Sequence, residues 1–116
     1  MRLVTALMPE AAPLIEHYRL EKIGNSPIFP LYRNETTYLV VSGIGKTLAS
    51  AATAYLHVKS GELPNQPFLN IGIAGHQRAI TGVPQVASRI TDQSTGKTWY
   101  PSQIIRDSME RSPLIT

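Results

Sequence analysis

The sequence predicts an α/β domain, and three observations carry that reading. Its runs follow in the order strand, helix, hairpin, helix, strand, strand. The strand runs are continuously apolar rather than alternating, as in sheets covered on both faces. Nothing repeats at a fixed period, which argues against a solenoid.

The first run, LVTALM from Leu3 to Met8, reads as a buried strand. Pro9 suits the first turn of a helix, and Glu10 lies near the positive end of its dipole. Ala11, Leu14, Ile15 and Tyr18 then fall at i, i+3, i+4 and i+7, so the spacing predicts a helix over Glu10 to Arg19 despite Pro13. After the turn GNSP, IFPLYR and TTYLVVSG flank Asn34 and Glu35 and read as a hairpin.

From Lys46 to Val58 the chain is rich in Ala and Leu with no breaker, and Leu48, Ala52, Tyr55 and Leu56 form one stripe of a helix. GELPNQ is a loop, FLNIGIA a further buried strand, QVASRIT another, and DQSTGK a turn in which Asp92 is a turn former. TWYPSQII reads as a last extended piece. Its Trp99, Tyr100 and Pro101 are expected in a core or subunit interface, with stacking on a base as the sharper option. The end, SMERSPLIT, either frays or precedes another element of a longer chain, and the apolar triplet after Pro113 favours the second.

At 116 residues the chain is one small domain or part of one. With 42% hydrophobic and 16% charged residues it is an ordinary globular composition rather than a disordered one. The net charge is +3, but the eleven Lys and Arg are scattered, so no nucleic-acid partner is expected. No run approaches the roughly eighteen apolar residues that signal a membrane span, and Pro9 and Glu10 interrupt any signal peptide, so no membrane is expected and a cytoplasmic location is. The absence of cysteine excludes disulfides and thiolate chemistry. His17, His57 and His76 share no ligand spacing with a third group, so no metal and no cofactor are expected.

SGIGKT, from Ser42 to Thr47, imitates a phosphate loop. The pattern G-x-x-x-x-G-K-[ST] needs a glycine where this chain has Val40, and without it the anion nest does not form. What remains is a strand-to-helix turn in which Gly43 and Gly45 permit tight geometry, or a close backbone approach to a polar ligand. Glu10 is a candidate general base or water holder at a strand's carboxyl end, where open α/β sheets place ligands, or else simply a dipole-favoured helix start. His76, after the glycines of NIGIAGHQ, is a surface hydrogen-bonding residue or a ligand contact.

Three segments in this order and spacing, TALMPEAAPL, VVSGIGKTLASAATAYL, and FLNIGIAGH followed by VASRITD, resemble the nucleoside phosphorylase and nucleosidase superfamily. The resemblance is to the methylthioadenosine/adenosylhomocysteine nucleosidases and futalosine hydrolases in particular. It implies a single domain around a mixed, barrel-like central sheet flanked by helices, assembled as a homo-oligomer. Residues 1–116 are then the N-terminal half of a domain roughly twice as long, within the range of single α/β domains.

The resemblance also implies roles. Glu10 matches the glutamate that holds the attacking water in nucleosidases. Ser42, Gly43, Ile44 and Gly45, with Ile73, Ala74, Gly75 and His76, line the ribose and base pockets of a small-molecule nucleoside. Where purine phosphorylases offer an arginine and a serine to phosphate, this chain has Asn70 and Ile73, so a buried phosphate dianion would be poorly paired. Ile73 also replaces the serine of the methylthioadenosine enzymes, whereas futalosine hydrolases tolerate G-I-A-G. His76 stands where relatives carry glycine and either narrows the pocket or adds a donor.

The implied reaction is hydrolysis of an N-glycosidic bond in a purine nucleoside or nucleoside-like substrate. The alternatives are phosphorolysis, and a non-catalytic ligand-binding or oligomerisation module. The acid for the leaving base and the carboxylate for the ribose hydroxyls belong to the C-terminal half of relatives, and Met109 and Glu110 do not match the latter. The 116-residue chain is therefore expected to be inactive alone.

Overall fold

The computed structural model describes residues 1–61, 66–102, 104–105 and 108–116. They fall into two compact units, Met1–Ala74 and Gly75–Thr116, each described by itself.

The first unit contains strand β1 (Arg2–Thr5), helix α1 (Met8–Tyr18), strands β2 (Glu21–Ile23), β3 (Leu31–Arg33) and β4 (Tyr38–Val41), helix α2 (Lys46–Lys59) and strand β5 (Phe68–Asn70). The sheet order is β2-β3-β4-β1-β5. Strand β1 runs parallel to both β4 and β5, while β2, β3 and β4 form an antiparallel meander, so the sheet is mixed.

Alternation along β1 and β4 assigns the two helices to opposite faces. Leu3, Leu39 and Val41 pack with Ala11 and Leu20, and Leu14, Ile15 and Tyr18 of α1 close over them. Val4, Val40 and Leu31 face the other way and pack with Ala52 and Leu56 of α2. This two-faced burial is why the central strands read as unbroken apolar runs. The expected α1 stripe is the observed one. Of the α2 stripe, Leu48 departs: it is 40% exposed and lies over Gly43 rather than in the core.

The ends of α1 explain its bounds. Leu7 is the N-cap and Pro9 lies in the first turn, where its missing N–H is no loss, so the helix starts two residues before the expected Glu10. Arg19 adopts the left-handed conformation (φ 52°), and the Leu20 N–H returns to the Ile15 carbonyl at 2.9 Å. At the β3–β4 turn, Asn34 Oδ1 accepts from the backbone N–H of Thr36 (2.9 Å) and Thr37 (2.8 Å), as an Asx turn does. Its Nδ2 donates to the Tyr18 carbonyl at 2.8 Å, satisfying one of the open carbonyls that end α1.

Arg2 is buried at the start of β1. Its Nε donates to Ser60 Oγ (2.7 Å) and its Nη1 to the Gln66 carbonyl (2.9 Å), and its guanidinium lies 4.8 Å from the centroid of the Phe68 ring. The residue thus fastens the end of α2 to the start of β5.

The second unit holds β6 (Gln85–Thr91), β7 (Thr98–Trp99) and β8 (Glu110–Ile115) in the order β7-β6-β8. Strand β7 is antiparallel to β6 and β8 parallel to it, with an irregularity between Ala87 and Arg89. Asp92 is the expected turn former: its Oδ1 accepts from the N–H (2.9 Å) and Oγ (2.6 Å) of Ser94. Among the described residues, every fully buried apolar side chain lies in the first unit.

Four further points differ from the expected reading. Strand β2 is absent from the sequence reading because GluLysIle carries no apolar pattern; it is an edge strand whose charges face water. FLNIGIA is strand only over Phe68–Asn70; Ile71 N–H still donates to the Val4 carbonyl at 2.9 Å, and the segment then leaves β1. Residues 110–115 form β8 beside β6, so of the two readings of SMERSPLIT the frayed one does not apply to them. Trp99 (45%) and Tyr100 (74%) are exposed in this chain, so of the two expected placements the core is not the one observed. The loop GELPNQ falls partly on residues 62–65, and the extended piece TWYPSQII includes residue 103; both positions lie outside the described residues.

Candidate active site

Three parallel strands, β4, β1 and β5, end on the same edge of the sheet. The loops leaving them carry the Ser42–Gly45 turn, the first turn of α1 with Glu10, and the Ile71–Ala74 segment. This is the edge at which open α/β sheets place ligands.

The turn after β4 is stitched to the one after β1. Ser42 N–H donates to the Thr5 carbonyl (2.8 Å) and Gly43 N–H to the Ala6 carbonyl (3.0 Å), carrying the ladder past the end of the strands. Gly43 has φ +84°, which favours glycine; a Cβ there would lie 2.9 Å from Cδ1 of the half-exposed Leu48, whose side chain can move aside. Ser42 is buried, and its hydroxyl is turned to the carbonyls of Gly43 (2.8 Å) and Thr5 (3.2 Å). Beside it, Thr5 Oγ1 is buried with no hydrogen-bond partner among the described residues. Ile44, by contrast, is 73% exposed.

Glu10 occupies the third position of α1, from which a glutamate reaches back over its own helix start. Its Oε2 accepts from the backbone N–H of Ala6 and of Leu7, each at 2.9 Å. Its Oε1 accepts from Ile73 N–H at 3.1 Å. Desolvation by itself raises the carboxyl pKa, but the amides of Leu7, Ile73 and Ala6 favour the anion more, and the pKa lies below the usual glutamate value. A carboxylate has about four lone-pair sites, so three amides leave one on Oε1.

Ile73 itself is 89% exposed, so its amide serves Glu10 while its side chain is left open to solvent. Ala74 closes the first unit. Gly75 and His76 open the second, where His76 Nδ1 accepts from Arg78 N–H (3.0 Å) and Ala79 N–H (2.7 Å). An imidazole accepting at Nδ1 carries its proton on Nε2 and presents that nitrogen as a donor.

The structure thus brings together Glu10 and Ile73, and links Ser42 and Gly43 to the β1–α1 turn that supplies the Glu10 amides. The sequence reading did not assign the amides of Ala6, Leu7 and Ile73. The capping-box position of Glu10 is the signal that finds the Leu7 amide. A separate groove of about 640 Å³ runs between α2 and β5, lined by Val4, Thr53, His57, Phe68 and Asn70 among others, and Glu10 takes no part in it. Among the described residues, no three His, Asp or Glu gather as metal ligands would. Among them, too, no helix is long and apolar enough to cross a membrane.

No family model matches the chain, and no curated protein matches it. Solved structures do. A futalosine hydrolase mutant of Helicobacter pylori is similar at a TM-score of 0.63 and 16% identity, over 88% of this chain and 56% of that one. The Campylobacter jejuni 5'-methylthioadenosine/S-adenosyl homocysteine nucleosidase is similar at a TM-score of 0.59 and 23% identity, over 78% and 41%. A mutant of the Helicobacter pylori enzyme, with 5'-methylthioadenosine in its active site, gives 0.59 and 20%, over 78% and 41%. In fold the chain resembles these nucleosidases, and it spans between two fifths and three fifths of their length.

Proposed function

We propose that this chain is the N-terminal half of a single nucleosidase-like domain, and that the complete protein hydrolyses the N-glycosidic bond of a purine nucleoside or nucleoside-like substrate. The observation that carries the reading is the Glu10 carboxylate: clamped by three backbone amides, anionic at neutral pH, and left with one acceptor site on Oε1 at the ligand edge of the sheet. Support comes also from the fold likeness to a futalosine hydrolase and to a nucleosidase carrying 5'-methylthioadenosine.

Cleavage of such a bond builds positive charge on the sugar as the base departs. A fixed carboxylate on that face stabilises the charge and aligns a water for attack on the anomeric carbon, with little reorganisation during reaction. Its depressed pKa makes Glu10 a weak base. Its part is to hold the water and take its proton late, once bonding to the cationic carbon has acidified it. Ile44 and Ile73, both exposed, supply apolar walls for sugar and base. No cationic side chain stands at Asn70 or Ile73, which favours water over phosphate as nucleophile.

The test uses the complete protein with inosine, futalosine and 5'-methylthioadenosine, with and without phosphate. Free base and free sugar, formed at a rate indifferent to phosphate, are expected; sugar 1-phosphate would establish phosphorolysis instead. Glu10→Gln is expected to lower kcat by roughly 10²–10⁴-fold, the usual share of a general base.

A further inference from the structure

Gly72 lies between β5 and the amide that binds Glu10. Its φ is not in the left-handed region, so the backbone accepts any residue there. The constraint is one of contact. A Cβ on Gly72 would sit 3.1 Å from Glu10 Oε1, 3.7 Å from its Cδ and 3.8 Å from Oε2, and all three of the nearest atoms it would meet belong to that one side chain.

The carboxylate cannot give way freely. Ala6 and Leu7 hold Oε2 at 2.9 Å from one side, while Ile73, the residue after Gly72, holds Oε1 at 3.1 Å from the other. A methyl group at position 72 would push Oε1 away from the segment whose amide binds it. That bond is the longest of the three and would lengthen first.

We infer that Gly72 is a positioning residue: the absence of a Cβ lets the loop after β5 close on Glu10 Oε1, and so decides which single acceptor site of the carboxylate remains for a ligand's water. Oε2 is structural, sealed by the helix's own start, and Oε1 is the ligand-facing oxygen. The assignment of Oε1 to a water rests on the nucleosidase reading; the coupling of Gly72 to Glu10 does not.

A double-mutant cycle on the complete protein tests the coupling. Gly72→Ala is expected to lower Tm by roughly 5 °C when Glu10 is present and to leave it unchanged in the Glu10→Ala background, where the crowded atoms are gone. Equal losses in both backgrounds, or none in either, would overturn the inference. If Gly72→Ala does not fold while Glu10→Ala does, folding of the Gly72→Ala/Glu10→Ala double variant supports the inference and its failure overturns it.

NMR titration gives a second readout. In the parent protein the Ile73 amide shift is expected to follow Glu10 ionisation, and in Gly72→Ala that response is expected to shrink and the Glu10 midpoint to rise. An unchanged response and midpoint in the folded variant would sink the inference. Full activity of Glu10→Gln in the complete protein would end the assignment of the attacking water to Glu10 while leaving both of these results to stand or fall by themselves.

Discussion

Ile73 donates its backbone N–H to Oε1 of Glu10 at 3.1 Å, across 63 residues of sequence. The bond joins the loop after β5 to the first turn of α1, and its strength depends on the carboxylate being charged.

Stability at acid pH follows from this. The folded-state pKa of Glu10 lies below the value of 4.5 for an unperturbed glutamate, so the unfolded chain takes up the proton more readily. The contribution of Glu10 is therefore complete above the unfolded pKa and is lost as pH falls through the folded one. Urea midpoints measured from neutral pH downward are expected to drop on this limb in the parent chain, with a shallower drop in Glu10→Gln.

Thr5 offers the opposite case. Its hydroxyl is buried without a hydrogen-bond partner among the described residues, so it carries a desolvation cost that nothing there offsets. Thr5→Val, which replaces the hydroxyl by a methyl of similar shape, is expected to stabilise the chain by about 1 kcal/mol in chemical denaturation. A loss of that size would mean that the hydroxyl is paired in solution.

Arg2 holds its guanidinium among Ser60, Gln66 and the Phe68 ring in a buried setting. Arg2→Met keeps much of the stem and removes every donor; the expected cost is roughly 2–4 kcal/mol by urea unfolding. Arg2→Lys is expected to recover only part of it, because an ammonium lacks the planar fork that meets Ser60 and Gln66 together. Equal stability of Lys and Arg at this position would reduce the clasp to a matter of charge.

Local pattern made the central elements legible. The α1 stripe of Ala11, Leu14, Ile15 and Tyr18 and the apolar runs of β1 and β4 each state a burial that the structure realises. What escaped reading lacks such a pattern. Strand β2 is held by backbone pairing to β3 with Glu21 and Lys22 in water, and β8 pairs with β6 from 25 positions away. Glu10 was legible as a candidate because its residue type and its place after a strand are local facts. The Ile73 amide that completes its clamp was not, since any residue but proline supplies the same donor. Gly72 could be read as a turn glycine, yet its contact is with a side chain 62 positions earlier.

The arrangement of β1 between β4 and β5 bears on how the chain acquires its structure during synthesis. Strand β1 leaves the ribosome before its partners on either side, residues 38–41 and 68–70. The β3–β4 hairpin is local and closes early, whereas the pairing of β1 must wait for a crossover to be translated and its loop entropy met. Until then an apolar strand without neighbours is available to chaperones or to other nascent chains. Substitutions in β1 that preserve final stability are therefore expected to act on the yield of folded protein before they act on anything else.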